Sequence, residues 1–351
     1  MSNEPLKVAI CGASGYAGAE LLRILSWHPG VEVVSVTSER SGGKSPVELY
    51  PHLNKYDYLL FEPLSPEILA GKADFFFMAL PHKASQPAVA LLYRKGKKIV
   101  DLSADFRLKD PSVYEQWYKV PHNQRDVLKK AVYGLPELHR ARIKKAGLVA
   151  NPGCYPTGAI LGAYPALKSG LASPEGIIVD SKSGTSGAGR QSDIRFSFCE
   201  VNEGFRAYSV ASHRHTPEIE QELSAIAKRE TLTINFTPHL LPVNRGILST
   251  IYLKTAKKTT TEEALSIYRK TYRNEPFVRV LAPGALPDIS SVRGTNRCDI
   301  GMKLDERTGT LIVITAIDNL VKGAAGQAVH NMNLMMGFPE ETGLAQPAVF
   351  P

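Results

Sequence analysis

At 351 residues the chain is long enough for two domains, each with its own core. It is 43% hydrophobic and 22% charged, no apolar run approaches a bilayer span, and no basic-then-apolar segment follows Met1, so neither a membrane partner nor a secretory leader is expected. The net charge of +8 rests on scattered residues and short pairs such as Lys97-Lys98, Lys129-Lys130 and Lys257-Lys258, which read as solvated faces rather than as a nucleic-acid surface.

Lys7-Val8-Ala9-Ile10 reads as a buried first strand, Gly12–Gly18 as a glycine loop, Ala19–Leu25 as a helix and Val31–Val36 as a second strand. Asp74–Leu80 and Lys98–Leu102 add short apolar strands around a helix at Ala84–Arg94. This alternation predicts a Rossmann-type parallel sheet with right-handed crossovers. After Cys154 the character changes. Strands at Ile177–Asp180, Leu232–Phe236, Ile247–Leu253 and Leu311–Thr315, with helices at Pro217–Lys228 and Thr261–Arg273, predict an α+β domain on a mixed sheet. A last helix near Val321–Met335 carries small residues (Gly323, Ala324, Ala325, Gly326, Ala328) suited to close packing. The predicted boundary is therefore 1–150 for a cofactor domain and 151–320 for a catalytic, substrate-binding domain, with the segment 321–351 returning to the first.

Gly12-Ala13-Ser14-Gly15-Tyr16-Ala17-Gly18 spaces its glycines as GxxGxxG, not GxGxxG. The physics is similar: a tight turn, backbone close to a pyrophosphate, and phosphate at a helix N-terminus. Gly12, Ser14, Gly15, Tyr16 and Gly18 are thus candidate cofactor contacts, although glycine loops also serve as plain turns. At the end of the second strand, Ser38, Arg40 and Ser41 favour a ribose 2′-phosphate and hence NADP, with Glu39 turned to solvent. Further on, Asp101–Arg107 follows a strand carboxyl end, where open α/β sheets bind ligands. Arg107 there suits a phosphate through bidentate bonds, or pairs with Asp101 or Asp105.

Asn151-Pro152-Gly153-Cys154-Tyr155-Pro156-Thr157-Gly158 sets Cys154 between a short apolar run and a helix, with Pro156 in the first turn. Cys154 then faces unpaired N–H groups and the positive end of a helix dipole, which favours the nucleophilic thiolate. A free cysteine is otherwise a small buried hydrophobe. With Cys11, Cys199 and Cys298 it forms no CxxC pair and no disulfide framework, which suits a reducing cytoplasm. The Gly/Ser loop Ser181–Arg190, including Ser183, Gly184, Ser186 and Gly187, offers N–H and hydroxyl donors to an anion or is a flexible connection. His213-Arg214-His215-Thr216-Pro217 places two histidines before a helix whose expected N-cap is Thr216. Histidine moves protons near neutral pH. His215 is the candidate acid/base and His213 the runner-up, as its orienter or a substrate contact. A metal-binding pair is the other reading, but no HExxH, CxxC or carboxylate spacing completes a metal site.

Taken together, Gly12–Gly18, Thr37–Ser41, Asp101–Arg107, Asn151–Gly158, Ser183–Arg190, His213–Ile219, Pro238–Gly246 and Asp318–Ala325 resemble the N-acetyl-γ-glutamyl-phosphate reductase family, relatives of aspartate-semialdehyde dehydrogenase. The resemblance spans the whole chain. It implies NADPH-dependent reduction of an acyl phosphate to an aldehyde, with Cys154 as nucleophile, His215 as acid/base, Arg107 as a phosphate contact, Asn319 beside the nicotinamide and Arg245 on a substrate carboxylate. Aspartate-semialdehyde dehydrogenases follow Pro-Val-x-x-Gly with a histidine. Here Pro242-Val243-Asn244-Arg245-Gly246 leads to Ile247, which argues against aspartyl phosphate. An α-aminoadipyl phosphate, one methylene longer, remains the alternative substrate, and a non-catalytic NADP-binding redox sensor the alternative class. The expected assembly is a homo-oligomer, dimer or tetramer.

Overall fold

The structure, a computed structural model, describes residues 4–190 and 192–350. Met1–Asn3, where the leader reading begins, lie outside the described residues. The chain divides into two units, one running to Pro152 and resuming over Ala324–Gln346, the other taking Gly153–Gly323 and the residues after 346.

The first unit is built on seven strands: β1 (Leu6–Cys11), β2 (Val31–Thr37), β3 (Phe61–Glu62), β4 (Phe75–Met78), β5 (Lys98–Asp101), β6 (Val132–Tyr133) and β7 (Leu148–Ala150). Their order is β3-β2-β1-β4-β5-β7-β6, and every pairing is parallel. Helices cover both faces of a parallel sheet, so its strands read as continuous apolar runs. All four residues of β4 are buried. Helix Gln86–Arg94 packs Val89 and Leu92 into a core with Phe76, Ile99 and Leu148. The strand order reverses between β1 and β4, which makes their carboxyl ends the switch point where open sheets bind ligands. Helix Gly326–Met336 completes the unit with an unusual buried polar set, Gln327, His330, Asn331 and Asn333. Asn331 Nδ2 donates to Asn151 Oδ1 and Gly134 O, and Asn333 Oδ1 bonds His28 Nε2 at 3.0 Å.

The second unit carries β8 (Ile177–Ser183), β9 (Arg206–Ala207), β10 (Ile234–Leu240), β11 (Ile247–Lys254), β12 (Val278–Val280), β13 (Cys298–Asp305) and β14 (Thr310–Ile317). They form a mixed sheet in the order β12-β13-β14-β11-β8-β10-β9. β12 and β13 were not foreseen, because Val278–Val280 and Cys298–Asp305 lack an apolar run. On one face Val179, Ile251 and Val313 are buried. Helix Cys154–Lys168 lies on that face and brings its small residues to β11 and β14: a Cβ on Gly158 would stand 2.9 Å from Thr315 Oγ1. Pro165 interrupts the ladder of this helix by lacking the N–H that Leu161 O would accept. Tyr272 OH supplies that bond at 2.5 Å. On the opposite face Ile178, Tyr252 and Ile312 line up across paired strands and stay partly or largely exposed.

Candidate active site

One glycine, Gly153, brings the reactive side chains of the second unit together. Helix Cys154–Lys168 begins at the cysteine itself, after a Gly153 N-cap that offers no side-chain bond and with no acid in the first turn. Cys154 therefore occupies the first helical position, half-buried, at the positive end of the dipole. A Cβ on Gly153 would lie 2.6 Å from His215 Nε2, so only glycine lets that imidazole pack against the turn carrying the thiol. The N–H groups at this end are fewer than a bare helix start would offer. Pro156 has none, and Gly153 N donates to Glu218 Oε1 at 2.7 Å. Glu218 was missed in the sequence reading, where an acid in a helix's first turn merely complements the dipole. Here the 1% exposed carboxylate ties the helix Thr216–Ala227 to the cysteine turn.

His213 and His215 are separated by environment. His215, not Thr216, is the N-cap of its helix, with Pro217 in the first turn. The backbone at His215 is already helical, so the side chain of Thr216 has no capping role. His213 Nδ1 accepts the His215 N–H at 3.1 Å, and the two rings stand 4.8 Å apart. Tyr155, Tyr208 and Phe236 surround His213 with edge contacts at 5.3–5.7 Å. Burial among these rings, reinforced by Arg214, pushes its pKa down to about 4. His213 is thus neutral at physiological pH. The Tyr155 and Tyr208 hydroxyls bond each other at 2.8 Å, and burial raises both phenols, Tyr208 to about 12.

The Gly/Ser loop does not present its N–H groups to an anion. Gly184 N bonds Gly246 O, Thr185 N bonds Val243 O and Ser186 N bonds Asn244 O, so the loop is zipped onto 243–246. What it positions instead is Asn319, whose Nδ2 donates to Ser186 Oγ at 2.9 Å while its Oδ1 accepts Gly246 N–H at 2.8 Å. Ser183 is buried and Gly187 is spared a Cβ 3.2 Å from Ser183 Oγ. Arg245 reaches the fully buried Asp318 at 3.5 Å.

In the first unit the glycine loop is shaped as a cradle. Gly12 has φ +87°, and a Cβ there would stand 2.5 Å from Ala79 O after β4. A Cβ on Gly18 would lie 2.5 Å from Ala13 Cα, so the helix Tyr16–Leu25 can close on its own loop. Gly15 is an N-cap without a side-chain bond, and no acid follows in the first turn. Tyr50 OH holds Ser14 O at 2.8 Å, and Ser14 Oγ bonds Ser38 Oγ at 2.7 Å. Ser38 also accepts Ser41 N–H, so the serines knit the loops together. Glu39 is exposed but not simply solvated: it accepts the Leu64 N–H at 3.2 Å, and exposed Arg40 is the remaining charge. These residues fit a dinucleotide phosphate at the helix start.

Arg107 is only 6% exposed. Its Nε donates to Asn151 O at 2.7 Å and a terminal nitrogen to Leu102 O at 2.8 Å, which locks the guanidinium at the carboxyl end of β5. Nearby, Asp105 gathers Lys83 N, Ser85 N and Tyr114 OH. Asp101, buried beside Asp105, is pushed up to about 7. Among the described residues no cluster of three or more His, Cys, Asp or Glu could hold a metal, and no helix is long and apolar enough to cross a membrane.

Comparison with known proteins matches residues 7–146 to the semialdehyde dehydrogenase NAD binding domain and residues 154–319 to the semialdehyde dehydrogenase dimerisation domain. An N-acetyl-gamma-glutamyl-phosphate reductase from Pelotomaculum thermopropionicum is 56% identical over 347 residues, 99% of both chains. One from Geobacter sulfurreducens is 56% identical, covering 99% of this chain and all of its own. Among solved structures, aspartate semialdehyde dehydrogenase II of Vibrio cholerae has a TM-score of 0.73 at 17% identity over 95% of this chain and 99% of its own. The Candida albicans aspartate semialdehyde dehydrogenase with NADP reaches 0.70 at 15% identity over the same shares. Likeness at that identity shows a shared fold, whereas the close relatives span the full length; this chain belongs to the N-acetyl-gamma-glutamyl-phosphate reductase family of semialdehyde dehydrogenases.

Proposed function

We propose that the protein reduces N-acetyl-γ-glutamyl phosphate to N-acetylglutamate 5-semialdehyde, with NADPH as reductant and a thioester on Cys154. The observation that carries this reading is the Cys154 thiol at a helix start with His215 packed against the preceding glycine. His215 takes the thiol proton, the thiolate attacks the acyl carbon, and inorganic phosphate leaves with the bonding pair of the C–O bond, giving the thioester. The N–H groups of Cys154 and Tyr155 lie at the helix start, where the dipole favours negative charge, and stabilise the tetrahedral oxyanion. The chemistry supplied by a bound reduced nicotinamide is hydride transfer. His215 returns its proton as the sulfur is released. His213 orients His215, Arg107 contacts phosphate and Arg245, steered by Asp318, takes a substrate carboxylate.

The cofactor contacts are the glycine cradle, Ser38, Arg40 and Ser41 in the first unit; in the second, Asn319, held by Ser186, is the residue that the family resemblance sets beside a nicotinamide, while the N–H groups of Gly184, Ser186 and Gly187 are already taken. Arg40 beside serine hydroxyls, with Glu39 held by Leu64 N–H, supports NADP over NAD. A second copy of the chain is the inferred partner for the partly exposed sheet face bearing Ile178, Tyr252 and Ile312, in line with the dimerisation domain matched there. Cys11, Cys154, Cys199 and Cys298 form no disulfide, which accords with a reducing setting. The test is NADPH oxidation with synthetic N-acetyl-γ-glutamyl phosphate, in parallel with the aminoadipyl homologue. One methylene is worth about 1–3 kcal/mol of discrimination in an apolar pocket. Faster turnover of the longer substrate would reassign the enzyme, and no oxidation with either would refute the reading.

A further inference from the structure

Gly323 is one of the small residues whose sequence pattern suits close packing against another backbone. The structure winds Val321–Ala325 as a single π turn. Its wide bond runs from Gly323 N–H to Asp318 O at 2.9 Å, a five-residue span. Such turns inside helices are uncommon and recur at functional sites. Gly323 does not have a positive φ, so its backbone would accept any residue. Space is what demands glycine. A Cβ on Gly323 would lie 2.8 Å from Cys154 Cβ and 3.2 Å from Cys154 Cα, closer than side chains pack.

The turn cannot easily retreat from that contact. Asp318 is fully buried, and its Oδ1 accepts the N–H groups of Leu320 and Val321. Its Oδ2 accepts Gly294 N–H at 2.7 Å. Asn319 is fixed on both sides by Gly246 N and Ser186 Oγ. A rigid strip of backbone therefore rests on the Cα–Cβ bond of the cysteine. We propose that Gly323 is a positioning residue: its bare backbone sets where the Cys154 thiol sits at the helix start, and a methyl group there displaces the sulfur. This inference rests on Cys154 being the nucleophile.

The test is Gly323→Ala read in three ways. Turnover should fall by about 10²-fold, the cost of misplacing a reacting atom by roughly an ångström, with NADPH affinity unchanged. The pH profile of Cys154 alkylation in the cofactor-free protein should shift with it, which a loss of stability alone would not produce. A melting-temperature cycle with Cys154→Gly localises the cause: the loss from Gly323→Ala should largely vanish once the cysteine Cβ is gone. Should Gly323→Ala fail to fold, recovery of folded protein in the Cys154→Gly background supports the contact. An unaltered alkylation profile in folded Gly323→Ala, an equal melting loss in both backgrounds, or no recovery of folding would each overturn the proposal. Absence of acyl-phosphate-dependent oxidation in the wild-type protein would refute the enzymatic reading instead, and leaves the alkylation and melting readouts in force.

Discussion

Two helix starts in this protein share a recipe and differ in what is left open. Both follow a parallel strand, both use a glycine N-cap without a side-chain bond, and neither has an acid in its first turn. At Gly15–Tyr16 the loop spends the N–H groups of Gly12 and Ala13 on Thr37 and that of Gly15 on Gly12 O, and the first helical turn, Tyr16-Ala17-Gly18, carries no proline. At Gly153–Cys154 the donors are rationed: Glu218 takes one, Pro156 removes another, and a thiol sits where the dipole is strongest. The first arrangement suits a polyanion held by many bonds. The second suits one reactive atom with a few donors left for the charge it creates.

The largest break in that comparison is Cys154→Ser. Reductase turnover should drop by about 10⁴-fold or more, because a hydroxyl at the same place is a far weaker nucleophile. NADPH binding, measured by fluorescence, should survive, since it belongs to the other helix start. Turnover near that of the wild type would refute the covalent route.

His215→Asn comes next. It should lower kcat by about 10²–10⁴-fold, the usual worth of a positioned acid/base, and leave KM nearly unchanged. If His213→Asn shows that pattern instead, the two histidines exchange roles.

Arg40→Ala sharpens the other side of the comparison. Losing one or two charge-assisted bonds at about 1.5–3 kcal/mol each should weaken NADPH by at least about tenfold and leave NADH affinity alone. Equal efficiency with both cofactors in the wild-type protein would hand the ribose to Glu39.

The smallest effect is on stability. The pKa of His213 lies at about 4 in the folded protein against 6.5 for the free group. The folded state therefore disfavours the proton, so this stabilisation is complete above pH 6.5 and is lost as pH falls from there towards 4. The slope is at most about 1.4 kcal/mol per pH unit. Urea midpoints taken across that window should lose this slope in His213→Gln, which keeps an acceptor for the His215 N–H. An identical slope in both proteins would place the titration elsewhere.

Much of this architecture was legible because parallel strands buried on both faces announce themselves, as Phe75-Phe76-Phe77-Met78 does. The cysteine turn was legible too, since glycine and proline mark a helix start locally. What remained hidden was set by partners far away in sequence. Nothing near Glu218 points to Gly153 N, 65 residues earlier. Nor does Gly184-Thr185-Ser186 reveal that its N–H groups are spent on 243–246. β13 was hidden by composition: Cys298-Asp299-Ile300-Gly301-Met302 is buried throughout, with Asp299 made tolerable by Arg279 and Gly301 giving the backbone of Ala285 room.

The discontinuity of the first unit has a consequence for synthesis. Its seven strands are complete by Ala150, yet the helix Gly326–Met336, with its buried amides and imidazole, is made only after the intervening unit of roughly 170 residues. At about 5–20 residues per second the ribosome needs on the order of 10–30 s to supply it. Through that interval the nascent sheet lacks the partners of Asn151 and His28, and the second unit gains its own last strand, Thr310–Ile317, only just before that helix is made. The sheet translated first should therefore mature only at the end of translation, with the last helix acting as the latch that turns a waiting sheet into a finished one.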